Sequence, residues 1–416
     1  MKNPRALAHA ILCDVVLNGQ FANLALKQRL QNYSDQDKNL ISALVYTTLR
    51  HQISARAQWI DLVENKPKEK VALILDLAII QMFYFDRLPE YAIVDESVEL
   101  AKVDHISSAG MVNAVLRKVT LRGQKELVGK DEIETQALNL SIPLWIYKLW
   151  IKHYGQDEAY QIALSLNQEA PLCARINTLK VDPKEIYTDK NIQRGYLSPL
   201  SIRSDTLSLL NTDWFKEGKI VIQDESSQLV THFSGVRPND RVLDLCSAPG
   251  SKSTAMAALM NNTGSILACD LYASRLELVE KQAQLLGVTN LITLCIDGRV
   301  LKDTKPQPFD VILIDAPCSG LGVMRHKPDI KIHLKPETLD ELISLQYQLL
   351  DSVADLTKIN GTLVYSTCTL NRKENELQIV NFLSHHPNYV LVDERLILPY
   401  ECDSDGFYMA KLKRLK

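Results

Sequence analysis

Residues 241–270 read RVLDLCSAPGSKSTAMAALMNNTGSILACD. Two short runs rich in Val, Leu and Ile, RVLDLC and SILACD, flank the helix-forming stretch SKSTAMAALM. A strand, a helix and a second strand in so little chain predict a parallel βαβ unit. Further along, LITLCID (291–297), FDVILIDAP (309–317) and GTLVYSTC (361–368) repeat the strand pattern. SRLELVEKQAQLLG (274–287) separates the second and third runs, and a longer helical stretch precedes the last. The expectation is an α/β, Rossmann-like domain over 236–416, a doubly wound, mostly parallel sheet with helices on both faces. Ligands of such sheets lie beyond the carboxyl ends of the strands, so the residues just after each run are the informative ones.

Working outward toward the N-terminus, PRALAHAILCDVVL, SDQDKNLISALVYTTLRHQI, EKVALILDLAIIQMFYF and SAGMVNAVLRKVT carry apolar residues at three-to-four spacing. They predict an all-α domain over 1–140, with Ser34 and Ser107 as helix N-caps. The polar stretch GQKELVGKDEIET (123–135) marks its end. Residues 141–235 are expected to hold linker helices, with Trp145 and Trp150 as packing residues, and a small mixed α/β segment beginning at the strand CARINTLK (173–180).

At 416 residues the chain exceeds a single ordinary core. Its 46% hydrophobic and 23% charged residues exclude a disordered or fibrous class. A net charge of -3 announces no nucleic-acid partner, so any RNA site must be a local basic surface. No apolar run has the length of a membrane span, and the N-terminal stretch is broken by His9 and Asp14, unlike a signal peptide. The eight cysteines form no CxxC pair, which argues against a zinc site and for a reducing cytoplasm. No heptads announce an oligomer, and a monomer is expected.

The first strand runs into Asp244-Leu-Cys246-Ser247-Ala248-Pro249-Gly250-Ser251-Lys252. This loop is too poor in glycine for a dinucleotide fingerprint and fails the P-loop pattern at Ser251. Gly250 still permits close backbone approach at the turn. Asp270, Asp297 and Asp315 end the next three strands. Any one of them is commonly a turn or cap residue. Together they describe an adenosine-containing ligand, with Asp270 suited to ribose hydroxyls and Asp297 to an adenine edge. Cys318 and Cys368 follow the fourth and fifth strands and are expected to face one cleft, where a nearby Lys252 would favour a thiolate.

DLCSAPGSK (244–252), DAPCSGLG (315–322), RHKPDI (325–330) and YSTCTLNRKENE (365–376) resemble the motifs of the RNA cytosine-5 methyltransferases. QDESSQLV (223–230) and DGFYMAKL (405–412) resemble that family's flanking elements, and the N-terminal block resembles a NusB-type RNA-binding domain. The likeness covers nearly the whole chain. It departs at Ser251, where the family's loop typically has a second glycine, and at 181–212, which matches nothing recognisable. The resemblance implies a methyltransferase using S-adenosyl-L-methionine, held by residues 246–252 with Asp270, Asp297 and Asp315. It implies Cys368 as a nucleophile adding to carbon 6 of cytosine, which makes carbon 5 able to accept a methyl group. Cys318 would serve product release, Asp315 would hydrogen-bond the base, and Lys252 would orient Asp315 or stabilise the thiolate. The implied substrate is a single-stranded or loop cytosine of small-subunit (16S) ribosomal RNA, with no metal and no membrane. Arg325, His326 and Lys327 are candidates to grip phosphates beside it. Transfer RNA as substrate, or a non-catalytic assembly role, remain the alternatives.

Overall fold

The computed structural model describes residues 3–86 and 88–416. The chain folds as two compact units: one runs to Gln168 and adds Met324–Leu334, and the other comprises Glu169–Val323 and Lys335–Lys416.

The first unit is helical. Its helix Glu69–Tyr84 is buried continuously from Val71 to Gln81, as an element apolar on every side must be. The helices Pro4–Val16, Asp35–Ala57 and Ala109–Arg122 pack around it or around one another. Ser34 caps its helix as expected, its hydroxyl accepting from the Asp37 amide at 3.2 Å. Ser107 does not cap: it lies within the turn Ile106–Ser108, and Ser108, the residue at the cap position, makes no side-chain cap bond. This unit also keeps the helices Leu144–Tyr154 and Gln156–Leu166, past the expected boundary near 140. Tyr147 and Trp150 are fully buried, Tyr147 donates to Gln136 Oε1 at 2.7 Å, and the Ser141 hydroxyl accepts from the Ile53 amide at 3.1 Å.

Met324–Leu334 completes the helical unit although it follows the fourth predicted strand. Lys331 Nζ donates to Arg50 O at 2.8 Å, Ser141 O at 3.0 Å and Asn167 Oδ1 at 2.8 Å. An ammonium has three donors, and three acceptors meet them. Arg50 in turn donates to the Arg325 carbonyl at 3.0 Å. The expected phosphate grip is corrected here. Arg325 is buried, and only His326 and Lys327 of that cluster remain exposed.

The second unit begins with a small antiparallel sheet. Its strands are β1 (Cys173–Ile176), β2 (Gln193–Arg194), β3 (Ser201–Arg203) and β4 (Ile220–Ile222), in the order β2-β3-β1-β4. Arg203 closes it from inside: its Nε donates to Glu225 Oε1 at 2.7 Å, and Glu225 also accepts from the Leu197 amide at 2.8 Å. Both side chains are buried, so removing one strands the other. Glu225→Ala is expected to destabilise this sheet by about 3–5 kcal/mol. Urea-dependent hydrogen exchange of the β1–β4 amides reads that loss, and unchanged exchange would overturn it.

The large sheet holds β5 (Arg241–Asp244), β6 (Ser265–Asp270), β7 (Leu291–Cys295), β8 (Phe309–Asp315), β9 (Thr357–Thr367), β10 (Tyr389–Ile397) and β11 (Phe407–Arg414). Its order is β10-β11-β9-β8-β5-β6-β7, with β5 to β9 parallel and the β10–β11 pair antiparallel. From β5 the chain moves outward through β6 and β7, then returns to the other side as β8. The switch point, where such sheets hold ligands, therefore lies between β5 and β8. No helix among the described residues is long and apolar enough to cross a membrane.

Candidate active site

Beyond β5 the loop of residues 245–250 turns sharply into the helix Ser251–Leu259. Gly250 has φ +103°, and a Cβ there would lie 3.0 Å from Val279 Cα, so this position needs glycine. Ser251 is the first residue of the helix and takes its ordinary backbone geometry. A second glycine is therefore not required by this turn. Ser247 is tied down, its amide and hydroxyl both donating to Cys269 O at 2.8 and 3.0 Å. The Ala248 carbonyl accepts from Arg275 Nη2 at 3.1 Å, and Ala248-Pro249 is a cis peptide.

A cleft of about 850 Å³ opens beside this loop, lined by Cys246, Asp270, Asp297 and Pro317 among others. Its walls are largely apolar, from Leu245, Ile296, Leu345 and Leu349, with Arg275 and Arg299 at the polar side. Asp270 is buried, accepts from the Tyr272 amide at 3.1 Å and faces Arg275 Nη1 at 3.3 Å. Asp297 caps the following turn through the Arg299 amide at 3.0 Å and pairs with the same residue's guanidinium at 2.5 Å. Those Arg299 bonds hold its carboxyl below the usual carboxylate range. A closely approachable turn, a helix N-terminus and a cleft with an acid at its rim fit an adenosine-containing cofactor.

Asp244, read in the sequence only as the opening residue of the motif, and Ser253 support this loop from beneath. Asp244, at the end of β5, accepts from Ser253 Oγ at 2.6 Å, while its Oδ1 is buried with no hydrogen-bond partner. Burial pushes its carboxyl up to about 7. A pKa raised on folding means the folded state holds an extra proton between about pH 4, the usual aspartate value, and pH 7. Stability from this group is full below that window and is lost as pH rises through it. Asp244→Asn, which keeps the shape without titrating, is expected to flatten the pH dependence of this unit's melting between pH 4 and 7. A wild-type slope persisting in Asp244→Asn would rule out Asp244 as its source.

The other candidates meet past β8 and β9, which run in register with Asp315 opposite Ser366. Lys252 Nζ donates to Asp315 Oδ2 at 2.6 Å, and Ser366 Oγ donates to Asp315 Oδ1 at 2.9 Å. Phe407 lies beneath the ammonium, 5.3 Å from ring centroid to Nζ. Cys318 Sγ and Cys368 Sγ are 3.4 Å apart, both half-buried. The sequence foresaw the meeting of the cysteines but not the state of the first thiol. Its hydrogen bond to Cys368, together with burial, pushes the Cys318 thiol well above the ordinary value. Lys252 is paired with the carboxylate, which corrects the expectation of a lysine-depressed thiol for Cys318.

The family described as 16S rRNA methyltransferase RsmB/F matches residues 234–413. The NusB family matches residues 2–121, and an RsmF/B-like, ferredoxin-like domain matches residues 142–189. The chain is 33% identical over 439 residues to the probable ribosomal RNA small subunit methyltransferase B of Bacillus subtilis (strain 168), covering 99% of this chain and 98% of that one. It is 30% identical to the ribosomal RNA small subunit methyltransferase B of Pectobacterium atrosepticum, again covering 99% and 98%. The crystal structure of PH0851 superposes with a TM-score of 0.82 at 22% identity over 100% of both chains, a likeness of fold. A methyltransferase homologue from Pyrococcus horikoshii superposes with a TM-score of 0.63 at 26% identity, over 69% of this chain and 100% of that one.

Proposed function

Since the chain belongs to the ribosomal RNA small subunit methyltransferase B family, an S-adenosylmethionine-dependent group acting on ribosomal RNA, we propose that it methylates carbon 5 of a small-subunit rRNA cytosine through Cys368. The single observation that carries this reading is the pair of sulfurs 3.4 Å apart beside a Lys252–Asp315 ion pair. Residues 246–252 and Asp270 would hold the cofactor, and the apolar walls of the cleft suit an adenine. When bound, S-adenosylmethionine supplies an electrophilic methyl group. Asp297, already engaged by Arg299, contributes through the shape and charge of that pair.

Cys368 adds as thiolate to carbon 6, forming the S–C bond while the ring's π electrons shift toward carbon 5 and the base edge. Asp315 hydrogen-bonds that edge, and the proton shared with Lys252 compensates the charge developing at the ring nitrogen. Cys318 is held protonated by the sulfur beside it. Once Cys368 is bonded to carbon, its hydrogen bond and charge no longer raise the Cys318 pKa, although burial still does. Cys318 then gives its proton to solvent and takes the one from carbon 5. Breaking the C6–S bond restores the aromatic ring and the Cys368 thiolate. The target base leaves its stack to reach this site, which suits a loop or single-stranded cytosine.

RNA carrying 5-fluorocytosine tests the reading, because fluorine at carbon 5 cannot be removed as a proton is. The wild type is expected to form a denaturant-stable protein–RNA complex that requires the cofactor. No such complex, with ordinary RNA methylated by the same preparation, would overturn the covalent route.

A further inference from the structure

The two cysteines come from loops 50 residues apart in the chain, and 3.4 Å between sulfurs demands that something hold those loops together. Glu374 is fully buried and lies against both. Ser319, directly after Cys318, donates to it twice: its amide to Oε2 at 2.9 Å and its hydroxyl to Oε1 at 2.6 Å. Thr369, directly after Cys368, shares a 2.6 Å hydroxyl contact with Ser319 and reaches Glu374 Oε1 at 3.5 Å. Asn371 Nδ2 donates to Oε1 at 3.0 Å, and Gln346 Nε2 donates to Oε2 at 2.9 Å while also holding Pro317 O at 2.9 Å. These five partners are all uncharged donors, and a carboxylate is the side chain that only accepts. On the far side of the pair the loops are tied again, Gly322 N donating to Cys368 O at 3.0 Å.

We infer that Glu374 is a positioning residue for the methyl-transfer reaction: its carboxylate clamps the Cys318 and Cys368 loops at the sulfur separation the two thiols need to exchange their roles. The inference rests on the two-cysteine reading above and adds to it a residue that touches neither substrate nor cofactor. Glutamine cannot replace it. Around Oε2 both partners, a backbone amide and the Gln346 amide, are obligate donors, and around Oε1 so is Asn371. An amide group in either orientation turns a donor on a donor.

The test uses the full-length protein as wild type, Glu374→Gln and Glu374→Asp, with two readouts. The first is the rate at which the thiol oxidant diamide joins Cys318 to Cys368, two thiols giving one disulfide and the reduced hydrazine, mapped by peptide mass. The second is kcat for RNA methylation at saturating S-adenosylmethionine, with cofactor Kd and melting temperature as controls. Glu374→Gln is expected to slow disulfide closure and lower kcat about 100-fold, the cost of misplacing a reacting group by about 1 Å, with Kd unchanged. Glu374→Asp, which keeps an acceptor-only group, is expected to recover part of both. Wild-type disulfide closure in Glu374→Gln overturns the inference. So does equal loss in both variants accompanied by weakened cofactor binding, which marks a general structural role. Disulfide closure needs no catalysis, so it judges Glu374 even if Cys368→Ala shows the covalent reading to be wrong.

Discussion

Cys368→Ala is expected to lose RNA methylation by at least about 10³-fold, because without the sulfur adduct carbon 5 is too weak a nucleophile to take a methyl group. Cys318→Ala is expected to differ in kind. It keeps the nucleophile and so forms the adduct and methylates the base, but it lacks the group that removes the carbon 5 proton. Protein and RNA then remain joined and migrate together on a denaturing gel, carrying label from methyl-labelled S-adenosylmethionine. The wild type leaves its label in free RNA. The contrast follows from the different roles proposed for two thiols 3.4 Å apart, one adding to carbon 6 and the other clearing the carbon 5 proton. Full activity in Cys368→Ala would refute the assigned nucleophile. An adduct in Cys368→Ala and none in Cys318→Ala would exchange the two roles.

The Lys252–Asp315 pair carries the second large effect. Asp315→Asn keeps an acceptor for Ser366 but removes the charge that Lys252 meets at 2.6 Å and the proton the pair can share. A loss of about 10²–10³ in kcat is expected, the size seen when a preorganised polar group is removed from a transition state. Lys252→Met should cost a similar factor, because Asp315 then loses the partner that fixes its direction. The double variant should be little worse than either alone, since groups that act as a unit do not add. Single-turnover methylation at saturating cofactor, with cofactor Kd measured separately, separates this from a binding defect. Additive losses in the double variant would mean that the two residues act independently.

The parallel core of the large sheet was legible because each strand is a short run of β-branched and other apolar residues, closed by a residue that can do chemistry. Asp270, Asp297, Asp315, Cys318 and Cys368 stand at or just after strand ends in the folded chain, as their spacing predicts. The hairpin β10–β11 went unread, although VLVDERLI and FYMAKLKR are written in strand-forming residues. Its place beside β9 depends on pairing Tyr408 with Thr367, a register that no local pattern encodes. Arg325 was read as a surface cation from its neighbours in the chain. Burial depends on what arrives from elsewhere, and here the helical unit supplies Arg50 and its surroundings.

The order of residues by itself determined the alternation of strand and helix, the glycine at the turn, and the identity of the groups placed after each strand. These follow from backbone sterics and periodicity, which act within a few residues. Only the tertiary structure decided which group meets which. Lys252 reaches Asp315 across 63 residues, Cys318 reaches Cys368 across 50, and Ser319 reaches Glu374 across 55. Those meetings are set by sheet order and register, which minimise the free energy of the whole core. The protonation of Cys318 and Asp244 is decided with them, because both burial and neighbouring groups exist only once the chain has closed.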